Sequence, residues 1–153
     1  MVRVIISGGQ TGVDRAALDT ALASGFRVGG WCPRGRRAED GEIDARYPLR
    51  ETPSEAYEQR TAWNVRDSDA TLVLCLGSLT GGTALTVREA EQQGKPCRVE
   101  HLPGVVKDVR QWIDAHGVKD LNVAGPRASE APGLYEAAAA FMQALLNPPD
   151  PQG

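Results

Sequence analysis

Apolar residues along the chain fall either in short unbroken runs or at spacings of three and four, and together these patterns predict strands alternating with helices. A β-branched run at residues 2–6 ends at Gly8. Residues 13–24 then place Ala17, Leu18, Ala21 and Leu22 on one helical face before Gly25 ends the segment. Residues 26–31 read as a second strand, and the long polar stretch 32–50 reads as a loop that is either functional or disordered. Thr52-Pro53-Ser54-Glu55 combines a capping box with proline at the first helical position, which predicts a helix over 53–67.

Residues 71–76 are almost wholly apolar, as expected of a central parallel strand covered on both faces. They lead through Gly77-Ser78-Leu79-Thr80-Gly81-Gly82-Thr83 into a helix ending near Gln93 and Gly94. A strand over 97–101 precedes a helix over 105–115, with Val105, Val109, Trp112 and Ile113 on one face and Gly117 as terminator. A fifth strand, 121–124, precedes a last helix with Leu134, Ala138, Phe141 and Leu145 facing inward, stopped by Asn147-Pro148-Pro149. The expected fold class is α/β, a Rossmann-like, doubly wound, mostly parallel five-stranded sheet with helices on both faces. It forms one domain over 1–146 with a flexible C-terminal tail over 147–153. The ligand crevice is expected at the carboxyl ends of the strands where their order reverses. Placing the first strand beside the 71–76 strand there sets the turns that follow them across one cleft.

At 153 residues the chain has the size of one domain. No run approaches the roughly 18 apolar residues of a membrane span. A net charge of −3 argues against general nucleic-acid binding, which needs a basic surface. The first residues lack the regions of a signal peptide, and Cys32, Cys75 and Cys97 are odd in number and widely spaced, so a cytoplasmic location with reduced thiols is expected. Cys75 and Cys97 read as packing residues. His101 and His116 stand far apart and no CxxC or HExxH occurs, so no protein-ligated metal is expected.

Ser7-Gly8-Gly9-Gln10-Thr11-Gly12-Val13-Asp14 joins a strand to a helix, so bare N–H groups and the positive helix end favour an anion, above all phosphate. Its spacing is neither GxGxxG nor GxxxxGK[ST], which removes the main support for dehydrogenase or kinase chemistry. Asp14 suits either ligand contact or simply the first helical turn. Thr80-Gly81-Gly82-Thr83 repeats the device at the next strand end, giving a two-sided anion cradle. Arg34, Arg36 and Arg37 supply a local basic cluster of forked donors. Beside them Glu39 and Asp40 either tune the arginines, orient a hydroxylated ligand, or act as acid or base. Tyr57, Arg60 and Asn64 share one helical face, which lines the cleft or forms a surface stripe. Arg127 and Ser129 reach the ligand's far end or close a loop.

Read in order, Ser7 to Ala16, Pro33 to Gly41, Arg60-Thr61 with Asn64-Val65, Asp67-Ser68-Asp69, Gly81-Gly82-Thr83 and Asn122-Val123-Ala124-Gly125-Pro126-Arg127 resemble the molybdenum-cofactor carrier protein family. That family lies within a wider superfamily containing the lysine-decarboxylase-like (LOG) phosphoribohydrolases. The resemblance implies a Rossmann-like dimer or tetramer that holds molybdenum cofactor, a phosphorylated molybdopterin, without ligating the metal. No catalytic residue is implied. Expected binding residues are Ser7, Gly8, Gly9, Gln10, Thr11, Gly12, Gly81, Gly82 and Thr83 for anionic groups. Arg34, Arg36 and Arg37 are expected to supply countercharge, and Arg60, Asn64 and Glu39 to orient the ligand. Apoproteins of molybdenum enzymes are the implied recipients.

The enzymatic relatives carry PGGxGTxxE, whereas this chain has Leu79-Thr80-Gly81-Gly82-Thr83-Ala84-Leu85-Thr86, lacking the proline, the second GT step and the glutamate. The alternatives are a LOG-like nucleotide phosphoribohydrolase, with Glu39 or Asp40 in place of that glutamate, and a nucleotide-binding sensor. From the sequence, a bulky residue at Gly9 or Gly82 is expected to abolish binding at little cost to folding.

Overall fold

The computed structural model describes residues 1–79 and 81–149. The motif residue Thr80 and the tail residues 150–153 lie outside the described residues. In chain order the elements are β1 (Val4–Ile6), α1 (Val13–Ala23), β2 (Arg27–Gly29), β3 (Trp31–Cys32), β4 (Arg37–Ala38), β5 (Gly41–Glu42), β6 (Arg50–Glu51) and α2 (Tyr57–Arg66). There follow β7 (Ala70–Cys75), α3 (Gly81–Gln92), β8 (Cys97–His101), α4 (Val106–His116), β9 (Asp120–Ala124), a short 3-10 turn (Ala128–Glu130) and α5 (Leu134–Leu146). No helix among the described residues is long and apolar enough to cross a membrane.

Five strands pair in parallel in the order β2-β1-β9-β7-β8, the Rossmann-like α/β sheet the patterning predicts. One neighbour differs from expectation. β1 lies beside β9, not beside β7, because α3 on one face carries the chain outward to β8 and α4 on the other carries it back past β7, as right-handed crossovers require. Read from β7, the order is 2-1-3-4-5, a doubly wound sheet that the chain enters at its fourth unit, with its switch point between β7 and β9.

The two sheet faces differ in polarity. Ile5, Leu72, Leu74, Leu121 and Val123 pack with residues of α1, α4 and α5 in one dry core. The strand pleat turns the intervening residues to the face under α2 and α3, and there Thr71 and Asn122 are fully or almost fully buried polar side chains. α2 packs on α3. Their C-terminal ends are clasped by Lys95, whose ammonium donates to the carbonyls of Val65 (3.1 Å), Ser68 (2.7 Å) and Arg66, a favourable place for a cation at a helix C-terminus.

The stretch 32–50 is packed. Ile43, Tyr47 and Leu49 join Leu18 and Cys32 in a satellite core, and β4 pairs with β5 within the stretch. The strand expected over 26–31 breaks at Gly30, where a Cβ would sit 2.3 Å from the Ser7 carbonyl oxygen, and Trp31 leaves to pair with Arg50. The helix expected from Pro53 begins at Tyr57, because the Thr52 amide donates to the Cys32 carbonyl (2.8 Å) and so prolongs the β3–β6 ribbon. The cap chemistry moves downstream: Ser54 Oγ accepts from the Ala56 amide, and Gln59 Oε1 reaches back to the Ser54 amide (2.8 Å).

Lys95→Met keeps the stem and deletes three charge-assisted contacts, so it is expected to lower stability by ~1–3 kcal/mol. A reduced urea midpoint at unchanged slope would register the loss.

Candidate functional site

At the switch point a cleft of about 500 Å³ opens between α2 and α3, within the size range of small-molecule sites. Tyr57, Arg60, Thr61 and Asn64 form the α2 wall, and residues from Gly81 to Arg88 form the α3 wall. Asn122 and the turn after β9, Gly125 to Arg127, form the floor and rim. The glycine turn after β1 enters through Gly8 and Gln10, with Asp14 behind it. Both glycine-rich turns therefore border one cleft, with β9 between them.

Three amides of the first turn are satisfied within the protein. Gly9 N donates to Ser7 Oγ (3.2 Å), Gln10 N to the Asp14 carboxylate (3.3 Å) and Thr11 N to Gln10 Oε1 (3.0 Å). Asp14 is thus the turn's resident anion. Arg60 faces it at 3.8 Å and donates to the Gly8 carbonyl (3.1 Å). Burial pushes the Asp14 carboxyl up to about 6, against the opposing pull of Arg60. Gly8 is required because a Cβ there would lie 2.5 Å from Arg60 Cδ. Gly12 has φ 80°, and its Cβ would meet the Pro126 carbonyl oxygen at 2.5 Å, so the turns after β1 and β9 touch backbone to backbone. Gly9, at φ 78°, sits against Leu49 and Ile43 of the satellite core and away from the cleft.

The α3 start is different. Gly81 and Gly82 are exposed, with nothing within 4 Å of either Cβ position, and Thr83 is buried beside them. Arg88, one helix face further on, is exposed on the cleft wall and forms no ion pair among the described residues.

The three loop arginines do not line the cleft. Arg36, at φ 53°, donates to the carbonyls of Ile43, Asp44, Tyr47 and Leu49 at 2.8–3.1 Å and holds the long loop together. Arg34 pairs loosely with Glu55 (3.8 Å), and Arg37 stacks over Tyr57. Glu39 also stands outside the cleft wall. Its carboxylate accepts from Ser129 Oγ (2.6 Å), Ser129 N (3.1 Å) and Thr11 Oγ1, and Arg127 approaches to 3.6 Å. The Ser129 and Thr11 hydroxyls hold it below the usual glutamate range. Asp40 is likewise held low, by Arg15. Asn64 clamps the Trp31 backbone, accepting from its amide (2.7 Å) and donating to its carbonyl (3.0 Å).

Thr61, Arg88 and Asn122 were not singled out as site residues from the sequence. A polar residue inside the apolar 121–124 run was the available signal for Asn122. Cys32 and Cys75 are buried, and burial raises both thiols. No group of three or more His, Cys, Asp or Glu among the described residues is gathered to hold a metal.

An open parallel sheet with a polar cleft at its switch point, bordered by two glycine turns, defines a Rossmann-like domain with a crevice of small-molecule size. The chain belongs to the circularly permutated YpsA SLOG family, whose model matches residues 5–146, and a sheet order entered at its fourth unit accords with that description. A solved structure, that of the "Putative molybdenum carrier protein" from Syntrophus aciditrophicus, is 44% identical, with 95% of this chain and 96% of that chain covered and a TM-score of 0.90. No curated protein matches the chain.

Two outcomes are expected. Gly82→Val should fold like the parent, whereas Gly9→Val, strained at positive φ and driven into Leu49, should lose about 2 kcal/mol or more in urea unfolding, correcting the equal tolerance expected from sequence. Asp14, raised when folded, favours the folded state below its ordinary value of about 3.8 and loses that contribution as pH rises through about 6. The parent should therefore lose on the order of 2–3 kcal/mol between pH 4 and 6 from this group, and Asp14→Asn should flatten that slope in urea melts across the range.

Proposed function

We propose that the protein binds molybdenum cofactor as cargo and carries or stores it until transfer to the apoprotein of a molybdenum enzyme. The observation that carries this reading is the cleft at the switch point, opening on the exposed glycine start of α3. Its polar floor and Arg88, which forms no ion pair among the described residues, suit a phosphorylated small molecule. The extensive likeness to a chain bearing the carrier name supports the choice of cargo.

In this reading the phosphate lies against the backbone amides of Gly81, Gly82 and Thr83, with Arg88 as countercharge, while Arg60, bound to Asp14, braces the opposite wall. Ser7, Gly8, Gly9, Gln10, Thr11 and Gly12 shape the opposite wall, since their turn is already occupied by the Asp14 carboxylate. Glu39 latches the long loop to the rim, Arg34, Arg36 and Arg37 order that loop, and Asn64 fixes α2. The cargo metal is held by the dithiolene of the cofactor, so no protein ligand and no catalytic step are needed. A homo-oligomer, dimer or tetramer, in the cytoplasm completes the proposal.

A second reading, hydrolysis of a nucleotide N-glycosidic bond, draws on the buried Asp14 carboxyl, whose raised pKa suits an acid or base near neutrality. Asp14, not Glu39 or Asp40, then takes that role, because both of the latter are tied down outside the cleft.

Native mass spectrometry of protein purified from a host making molybdenum cofactor and from one blocked in its synthesis tests the first reading. A pterin-sized adduct with molybdenum is expected from the competent host alone. A nucleotide adduct from both hosts, with release of ribose 5-phosphate from AMP, would favour hydrolysis.

A further inference from the structure

The floor of the cleft holds hydrogen-bonding capacity that phosphate binding leaves unused. Asn122 lies mid-strand in β9 and is 3% exposed, yet it lines the cavity. Leu121 and Val123 beside it enter the dry core, so the pleat turns its amide toward α2 and α3. One Nδ2 hydrogen is given to Thr71 Oγ1 (3.2 Å). The other Nδ2 hydrogen and Oδ1 have no hydrogen-bond partner among the described residues. Oδ1 is not sealed within the protein, so a polar group entering the cleft can complete the amide's hydrogen bonds. Thr61 from α2 and Thr83 from α3, both buried, bring hydroxyls to the same cavity, and neither hydroxyl is bonded to another described residue. Leu85, Ala124 and Pro126 add apolar surface for a flat ring.

Charge is arranged the other way. Arg88 and the start of α3 are exposed at the mouth, while the half-buried Arg60 is committed to Asp14 and the Gly8 carbonyl. A doubly charged phosphate driven to the floor would lose its water without meeting a free cation; at the mouth it keeps both.

We propose that Asn122, with Thr61 and Thr83, forms a head-group subsite for the amide-type edge of a planar heterocycle. The edge in question offers adjacent donor and acceptor atoms, as in the 2-amino-4-oxopyrimidine ring common to guanine and pterins. The ligand enters head first and leaves its phosphate at the start of α3. This rests on the phosphate-binding part of the proposed function and adds which end lies deep and what reads it. An asparagine presents a donor and an acceptor side by side on two atoms and so meets both halves of such an edge at once, whereas a carboxylate or a cation offers only one of the two.

Titration calorimetry of the full chain with GMP and with ribose 5-phosphate separates the two ideas, since the second ligand keeps the phosphate and lacks the heterocycle. The parent should bind GMP at least tenfold more tightly than ribose 5-phosphate. Asn122→Leu should remove that advantage and leave ribose 5-phosphate affinity unchanged. The near-isosteric Thr61→Val, which spares the strand, should weaken GMP alone by threefold or more. Equal affinity of the parent for both ligands, or a GMP advantage that persists in both folded variants, overturns the head-group subsite while phosphate binding stands. Failure of the parent to bind either ligand overturns phosphate binding and the subsite with it.

Discussion

The contact of Arg60 with Asp14 and the Gly8 carbonyl is the constraint around which the cleft is built. A guanidinium with only 11% of its side chain exposed is costly to desolvate unless a carboxylate and a carbonyl meet it. Those partners come from the turn after β1, so α2 is bound to α1 and β1 through one side chain. Gly8 must lack a Cβ for the guanidinium to pass, and Asp14 must point back to the Gln10 amide for the turn to close. The same carboxylate occupies the place where an incoming anion would otherwise be drawn. An N–H-rich turn that looks open in sequence is thereby closed, and α3 is left as the accessible helix start.

The sheet divides the work between its faces. One side, sealed by α1, α4 and α5, is dry and supplies most of the buried apolar surface. The other, under α2 and α3, keeps Thr71 and Asn122 beneath two helices that meet at their C-terminal ends and leave a cleft along their N-terminal halves. Lys95 is the pin of that arrangement. Because the chain goes up one face from β7 and down the other after β9, the loops leaving these strands part at the switch point, and the crevice follows from topology.

Much of this was legible along the chain, and the misreadings have local causes. The strands at 71–76, 97–101 and 121–124 and the helices after 13, 106 and 134 are long or strongly periodic, so local pattern and final environment agree. The capping box at Thr52 was misplaced because a backbone pairing with Cys32, twenty residues away, outcompeted it for the Thr52 amide. The 32–50 stretch looked like an exposed basic loop because its arginines are visible in sequence and their acceptors are not. Arg36 turned out to face four carbonyls of its own loop, a partner set with no side-chain signature.

Period, glycine placement and charge balance by themselves determined the α/β class, the number of sheet strands and the two glycine turns at the carboxyl end of the sheet, since each depends on residues close in sequence. Only the tertiary structure decided that β9 separates β1 from β7, that the first turn is filled by Asp14 while the second stands open, and that Asn122 faces the cleft. Those outcomes turn on which groups from distant segments meet in a low-dielectric interior, where a carboxylate, an amide or a guanidinium takes the nearest partner that the packing provides.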